Sequence, residues 1–269
     1  MPPRERADRV ELRTATDGAP RATHGGDRAD SLDHSLDHAP GDRWEFDDDV
    51  ARVFDDMLAR SIPELRVLRG LVFDTGRRYV VPGTAVVDLG CSRGESLAPF
   101  LAAFGDGIRA VGIETSPAML DACRARFAAE IAAGTTEVLD LDLGTAYPDV
   151  TASLTLSVLT LQFVPVEARP RVLRDAFAST VPGGALVLVE KLRGATPELD
   201  AQWTEQYEAM KRANGYTQEA IDRKRLSLEG VLVPLTEREN VALLQRAGFT
   251  TVEMFWRHLN FAAWLAVKS

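Results

Sequence analysis

The stretch Ala85-Val86-Val87-Asp88-Leu89-Gly90-Cys91-Ser92-Arg93-Gly94-Glu95-Ser96 decides the fold, because an apolar strand runs straight into a turn bearing two glycines and then into a helical pattern. Such a junction is where α/β proteins hold a nucleoside-bearing ligand. Glycine lets the backbone approach the ligand closely, and the start of a helix offers N–H groups without intrahelical partners. The turn alone does not say which ligand. Its surroundings do.

Beyond the turn, strand patterns alternate with helical ones. Strands are expected over 108–114 (IRAVGIE), 136–141 (TEVLDL), 153–160 (SLTLSVLT) and 185–190 (ALVLVE), and helices over 95–104, 117–133 and 165–180. Alternation of this kind builds a parallel sheet covered on both faces. Ser116-Pro117 is a helix start, with serine capping and proline at the first helical position, and Met119, Leu120, Cys123 and Phe127 fall on the face turned to the sheet. The last two strand patterns, 250–256 and 261–267, are separated by only a few residues, so they pair antiparallel. A seven-stranded, mostly parallel sheet with a terminal antiparallel hairpin and helices on both faces is the Rossmann-like class I methyltransferase fold. That α/β fold is expected here.

Residues 1–43 are rich in Asp, Arg, Gly, Pro and His and nearly without large apolar side chains, the composition of a disordered leader. Within it Ser31-Leu32-Asp33-His34 recurs as Ser35-Leu36-Asp37-His38. Two histidines four apart suggest a metal clip, but a solvated low-complexity tail accounts for them, and no metal site is expected. The folded domain is expected over 44–269. Val50, Val53, Phe54, Met57, Leu58 and Ile62 recur at helical spacing before Pro63 and mark an entry helix, followed by a second helix over 65–79. A helical insertion at 196–235 is expected to cover the substrate side. Its Leu199, Trp203, Tyr207 and Met210 recur as packing or a homodimer interface requires, and Trp203 and Tyr216 are candidate substrate walls.

With 269 residues, 45% of them hydrophobic, the chain can bury one sizeable core. A formal net charge of −9 argues against direct nucleic-acid binding and for a small-molecule substrate. Cys91 and Cys123 are distant in sequence and belong to no CxxC pair, so neither a disulfide framework nor a zinc site is indicated, and a reducing cytoplasm is expected. The first residues lack a signal-peptide core and no run reaches membrane-spanning length, so no membrane partner is expected.

Three acids fall where successive parallel strands finish, the edge where open α/β sheets bind ligands. Asp88 leads into the glycine turn, where a carboxylate can accept turn N–H groups or meet, through water, the cationic amino-acid end of a ligand. Glu114 has two acceptor oxygens for a ribose diol. Asp142 can accept the exocyclic amine of adenine while Leu143 donates its backbone N–H. NAD offers the competing reading, but Glu95 stands where the third glycine of GxGxxG belongs, and its carboxylate would repel a pyrophosphate. S-adenosyl-L-methionine (SAM) carries a positive sulfonium and no phosphate. SAM is the cofactor expected, with a merely tight and empty turn as the structural alternative.

Further segments extend the likeness: Arg60-Ser61-Ile62-Pro63, Ser116-Pro117-Ala118-Met119-Leu120, Leu159-Thr160-Leu161-Gln162-Phe163, Pro182-Gly183-Gly184-Ala185-Leu186-Val187-Leu188 followed by Glu190-Lys191, and Lys211-Arg212-Ala213-Asn214-Gly215-Tyr216 running on to Lys224-Arg225. Together with the glycine turn they make the chain resemble the SAM-dependent methyltransferase superfamily. From Trp44 onward it resembles the bacterial carboxy-S-adenosylmethionine (carboxy-SAM) synthase family within it. The resemblance implies SAM and prephenate as substrates and carboxy-SAM as the bound product, which a second enzyme uses in tRNA wobble-uridine modification. It implies that Gly90, Cys91 and Ser92, in the turn that Gly94 completes, line the methionine and ribose side. It further implies that Glu114 and Thr115 hold the ribose, that Asp142 and Leu143 hold adenine, and that Arg225 grips the added carboxylate, a role suited to a bidentate guanidinium. The chain departs from the family pattern at Glu114, which stands for aspartate, at Leu65, which stands for tyrosine, and at Val158, which stands for a cofactor-site asparagine.

Two accounts of the chemistry follow. Because Leu65 and Val158 put aliphatic groups where the family has polar ones, the first is methyl transfer to a small carboxylate-bearing metabolite such as a 2-oxo acid, with Arg225 as its anchor. His258, at the final hairpin, is the candidate base where the acceptor must lose a proton, and otherwise a turn or surface histidine. The second account keeps carboxy-SAM synthesis. A non-catalytic SAM-binding module is a third, disfavoured by the three acids.

Overall fold

The alternating pattern resolves into one sheet. Strands β1 (Ala85–Leu89), β2 (Arg109–Glu114), β3 (Thr136–Asp140), β4 (Ala152–Val158), β5 (Thr180–Lys191), β6 (Thr251–His258) and β7 (Phe261–Val267) lie in the order β3-β2-β1-β4-β5-β7-β6. β1 to β5 run parallel, and β7 runs antiparallel between β5 and β6. The strand order reverses between β1 and β4, which opens a crevice at the C-terminal edge of the sheet. The structure is a computed structural model that describes residues 48–269. The leader at 1–43, with its repeated Ser-Leu-Asp-His, and Trp44 lie outside the described residues.

Nine α-helices of the described residues surround the sheet: α1 (Asp48–Ser61), α2 (Leu65–Gly76), α3 (Ala98–Phe104), α4 (Pro117–Arg126), α5 (Ala128–Ala132), α6 (Arg169–Ser179), α7 (Pro197–Ala213), α8 (Gln218–Ser227) and α9 (Glu237–Ala247). All five residues of β1 are buried, as a strand covered on both faces requires. Val86, Leu154 and Val187 face a core with Leu68, Val72, Phe100 and Leu120, while Val87, Leu186 and Leu188 face a second core with Leu173, Ala176 and Leu244. The sheet is thus sandwiched between helix layers.

Several boundaries differ from the sequence expectation for local physical reasons. The helix expected from Glu95 begins at Ala98, because residues 92–97 are spent in turns. The single helix expected over 117–133 is two helices, broken at Phe127, whose φ of −104° and ψ of 25° leave the helical region. Strand 153–160 stops at Val158, because Leu159 takes φ 61° and turns the chain. β5 begins at Thr180 instead of 185, pairing Thr180 with Ala152 ahead of a register shift. Ser116 caps α4 as expected, its Oγ accepting the N–H of Met119 at 3.3 Å.

The insertion folds as α7 and α8 and is clamped to the end of α1. Asn214 Nδ2 donates to the carbonyl of Arg60 at 2.9 Å, Tyr216 Oη lies 3.1 Å from Ser61 Oγ, and the Arg60 guanidinium lies 4.4 Å above the Tyr216 ring. The Lys211–Tyr216 segment therefore does a packing job.

Candidate cofactor and substrate site

A cavity of about 300 Å³ opens along the C-terminal edge of the sheet. Its wall follows the strand order: Asp142 and Leu143 after β3, Ile113, Glu114 and Thr115 at β2, Gly90, Cys91 and Ser92 after β1, Val158 to Thr160 at β4, Lys191 at β5 and Phe261 at β7. Phe54, Met57 and Leu58 of α1, Leu65 and Arg69 of α2, and Tyr207, Lys224 and Leu228 of the insertion segment complete it.

The glycine turn is held from below by Glu114. Glu114 Oε2 accepts the Ser92 N–H at 3.0 Å, and Oε1 accepts those of Thr115 and Ser116 at 2.8 and 3.0 Å. Gly90 and Gly94 sit at φ 71° and 82°. A Cβ on Gly90 would come within 2.3 Å of Thr160, and one on Gly94 within 2.2 Å of Phe127. The glycines are therefore required by packing behind the turn, whereas the sequence pattern points to the ligand alone. Gly94 itself does not line the cavity.

Asp88 has two expected roles, accepting turn N–H groups or meeting a ligand through water, and the structure bears on the first. The carboxylate accepts no turn N–H, because those of Cys91 and Gly94 go to the carbonyls of Ile113 and Cys91, and that of Ser92 goes to Glu114. Its side chain is buried beneath the cavity, Oδ1 has no hydrogen-bond partner among the described residues, and burial, then Cys123, Glu95 and Glu114, push its pKa well above the usual carboxylate range. Glu95 lines the cavity but is paired with Arg126 at 2.9 Å, so its repulsion of a pyrophosphate is partly neutralised. The two cysteines, unrelated in sequence, stand side by side, with Sγ atoms 3.8 Å apart and both thiols free. Their hydrogen bond raises the pKa of Cys91, which burial raises further, and lowers that of Cys123.

The donor set fits SAM. Glu114 Oε2 accepts one N–H and keeps a lone pair for a ribose hydroxyl, and only one Asp142 oxygen is used locally, Oδ1 accepting the Gly144 N–H at 2.7 Å. The carbonyl of Leu143 is taken by Arg171. Beside these acids the wall is aliphatic, with Ile113, Leu141 and Leu143, and it presents no cation there for a pyrophosphate.

Arg225 and His258 stand outside the cavity wall. The Arg225 side chain is 59% exposed, with Asp222 3.6 Å away, and it follows Lys224, which does line the cavity. His258 Nδ1 lies 3.1 Å from Glu64 Oε2 at the end of β6. Trp203 and Tyr216 are not wall residues either: the Arg257 guanidinium lies 5.9 Å above the Trp203 ring, and Tyr216 is buried against Ser61. The cations the structure does bring to the cavity are Lys191, Lys224 and Arg69, to none of which the sequence assigns a site role. The signal for Lys191 is a lysine closing the apolar run of β5, at the same strand edge as the three acids.

Residues 86–184 match a family model described as methyltransferase domain. The fold is shared with human N-acetylserotonin methyltransferase in complex with SAM, at TM-score 0.54 and 17% identity over 82% of this chain and 55% of that one. An O-methyltransferase family protein from Burkholderia thailandensis gives TM-score 0.55 and 20% identity over 82% and 60%. Fold and site define a SAM-dependent transferase of the class I methyltransferase type. Carboxy-S-adenosyl-L-methionine synthase of Methylococcus capsulatus is 39% identical over 228 residues, covering 84% of this chain and 94% of the relative. That of Helicobacter hepaticus is 35% identical over 234 residues, covering 85% and 96%. The chain belongs to the carboxy-S-adenosyl-L-methionine synthase family.

Proposed function

We propose that the chain makes carboxy-SAM from SAM and prephenate. The observation that carries this reading is the likeness to relatives named for that activity. It spans 94% of the Methylococcus protein, a match longer than the common fold segment at 86–184. The cavity supports it chemically. Acids at β2 and β3 suit a ribose, an adenine amine and a sulfonium, and cations elsewhere on the wall suit a carboxylate substrate.

In this reading Glu114 accepts a ribose hydroxyl, Asp142 and Leu143 meet the adenine, and Gly90 to Ser92 let the ligand lie against the turn. SAM supplies a methyl group made acidic by its sulfonium; prephenate loses its ring carboxylate as carbon dioxide and its ring hydroxyl as hydroxide, leaving phenylpyruvate, so that the hydroxide takes the methyl proton to give water and the methyl carbon bonds to the carbon dioxide as the new carboxylate. Phe54, Met57, Leu65 and Phe163 give the cavity apolar walls that exclude water from the reacting groups. A second reading, methyl transfer to a small carboxylate-bearing acid, is favoured by Leu65 and Val158, which line the cavity with aliphatic groups where the family pattern is polar. Incubation with SAM and prephenate separates the two by mass spectrometry: carboxy-SAM supports the first, and a methylated acid with S-adenosylhomocysteine supports the second.

A further inference from the structure

We propose that Lys191 is the anchor for the carboxylate that the 2-oxo acid substrate keeps through the reaction. This rests on reading the cavity as a carboxy-SAM synthase site, and it concerns a residue that the family resemblance leaves without a role.

Lys191 closes β5 in register with Phe261, and its backbone N–H donates to Gln162 Oε1 at 2.8 Å, so its side chain leaves a fixed point. That side chain lines the cavity with Nζ 4.7 Å from the centroid of the Tyr207 ring, which in turn lies 5.5 Å from the Phe261 ring. Among the described residues no carboxylate oxygen lies within 4.0 Å of this ammonium. The acids that act on it electrostatically have other partners: Asp200 Oδ1 accepts the Gly194 N–H at 2.6 Å, and Glu208 faces Arg212 at 3.9 Å. Burial lowers the pKa of Lys191, a penalty on the charged form that an anion docked beside it would offset. A cation against an aromatic wall, facing a cavity and without an acid partner, is a ready site for an anionic ligand.

Its position selects the anion. Glu114 at the end of β2 and Lys191 at the end of β5 are three strand spacings apart, about 14 Å, so the ammonium stands well away from the ribose acid along the cavity. Prephenate carries two carboxylates. An ammonium against the one that departs as carbon dioxide would stabilise the substrate more than the transition state, since charge leaves that group as its bond to the ring breaks. Against the retained 2-oxo carboxylate it binds both states alike, and its loss then shows in KM and not in kcat.

The test uses Lys191→Met, which keeps the aliphatic stem, and Lys191→Arg, which keeps the charge, with thermal melts to confirm folding and Lys191→Gln in place of a methionine variant that does not fold. Phenylpyruvate, the aromatic 2-oxo acid left when prephenate loses carbon dioxide and hydroxide, is titrated calorimetrically into protein loaded with S-adenosylhomocysteine. Lys191→Met is expected to weaken its binding, and to raise the prephenate KM, about tenfold or more. SAM affinity and kcat are expected to stay within about a factor of two, with Lys191→Arg recovering part of the loss. Unchanged phenylpyruvate affinity in Lys191→Met, or no binding by the wild type, overturns the anchor. So does an equal loss of SAM affinity, which would assign the lysine to the carboxylate of SAM itself. The functional reading fails on a different result, a wild type that binds the acid but forms no carboxy-SAM.

Discussion

Glu114 Oε2 accepts the backbone N–H of Ser92 at 3.0 Å, tying the end of β2 to the turn after β1. The same carboxylate holds the N–H groups of Thr115 and Ser116, so one side chain shapes both lips of the cofactor edge. Its charge is spread over three donors before any ligand arrives.

On the proposed function, replacing Glu114 by alanine removes a ligand acceptor together with the brace of the turn. SAM affinity is expected to fall about a hundredfold, the scale of losing one charge-assisted hydrogen bond with part of the preorganisation. Isothermal titration checks this; an unchanged affinity would remove Glu114 from the site.

The glycine turn makes a prediction about stability. Gly94→Ala places a methyl within 2.2 Å of Phe127 at a φ of 82°, and a loss of about 2–4 kcal/mol is expected from strain and overpacking. Gly70, inside α2, is a position where a Cβ would meet nothing within 4 Å, and it should respond in the opposite sense, Gly70→Ala adding about 0.5–1 kcal/mol. Denaturant titration of both variants reads the contrast, and shifts of the same sign would contradict it.

Glu190 supplies a pH dependence. Burial pushes its carboxyl pKa up to about 8 against the opposing pull of Arg169, and Oε1 has no hydrogen-bond partner among the described residues. An acid whose folded-state pKa lies above its unfolded value of 4.5 binds its proton more tightly when folded. Its contribution is complete below the unfolded value and is lost as pH rises toward the folded one. The Tm of Glu190→Gln minus that of the wild type is expected to grow between about pH 5 and pH 8. A difference that shrinks over this range would refute the assignment.

Arg225 and His258 both stand outside the cavity wall. Arg225→Ala is expected to leave SAM affinity and Tm unchanged, since its Asp222 partner is a surface acid. His258→Ala is expected to keep kcat within about a factor of two, and a large drop would return the histidine to the chemistry.

Much of this is legible in the sequence where a residue type has one physical use. Ser116-Pro117 announces the start of α4, the alternation of strand and helix patterns announces the parallel sheet, and the short link between 256 and 261 announces the antiparallel edge. Glu114 and Asp142 are readable as residues of the cavity wall because the crevice of this architecture opens at strand ends. What escapes is set by tertiary contacts with no local signature. Cys91 and Cys123 meet only because the glycine turn folds over α4. Phe127 breaks a helix where its ring packs behind Gly94. Arg169 is buried with its guanidinium on the carbonyls of Val164 and Gln162, a placement its charge alone argues against. Lys191 belongs with these, since its lack of an acid partner is visible only in three dimensions.

The most direct test of the central claim is mass spectrometry of the nucleoside formed when the purified protein is given SAM and prephenate whose ring carboxylate carries a carbon label. Carboxy-SAM bearing that label is the predicted result. SAM recovered unchanged, or S-adenosylhomocysteine beside a methylated acid, would contradict the account.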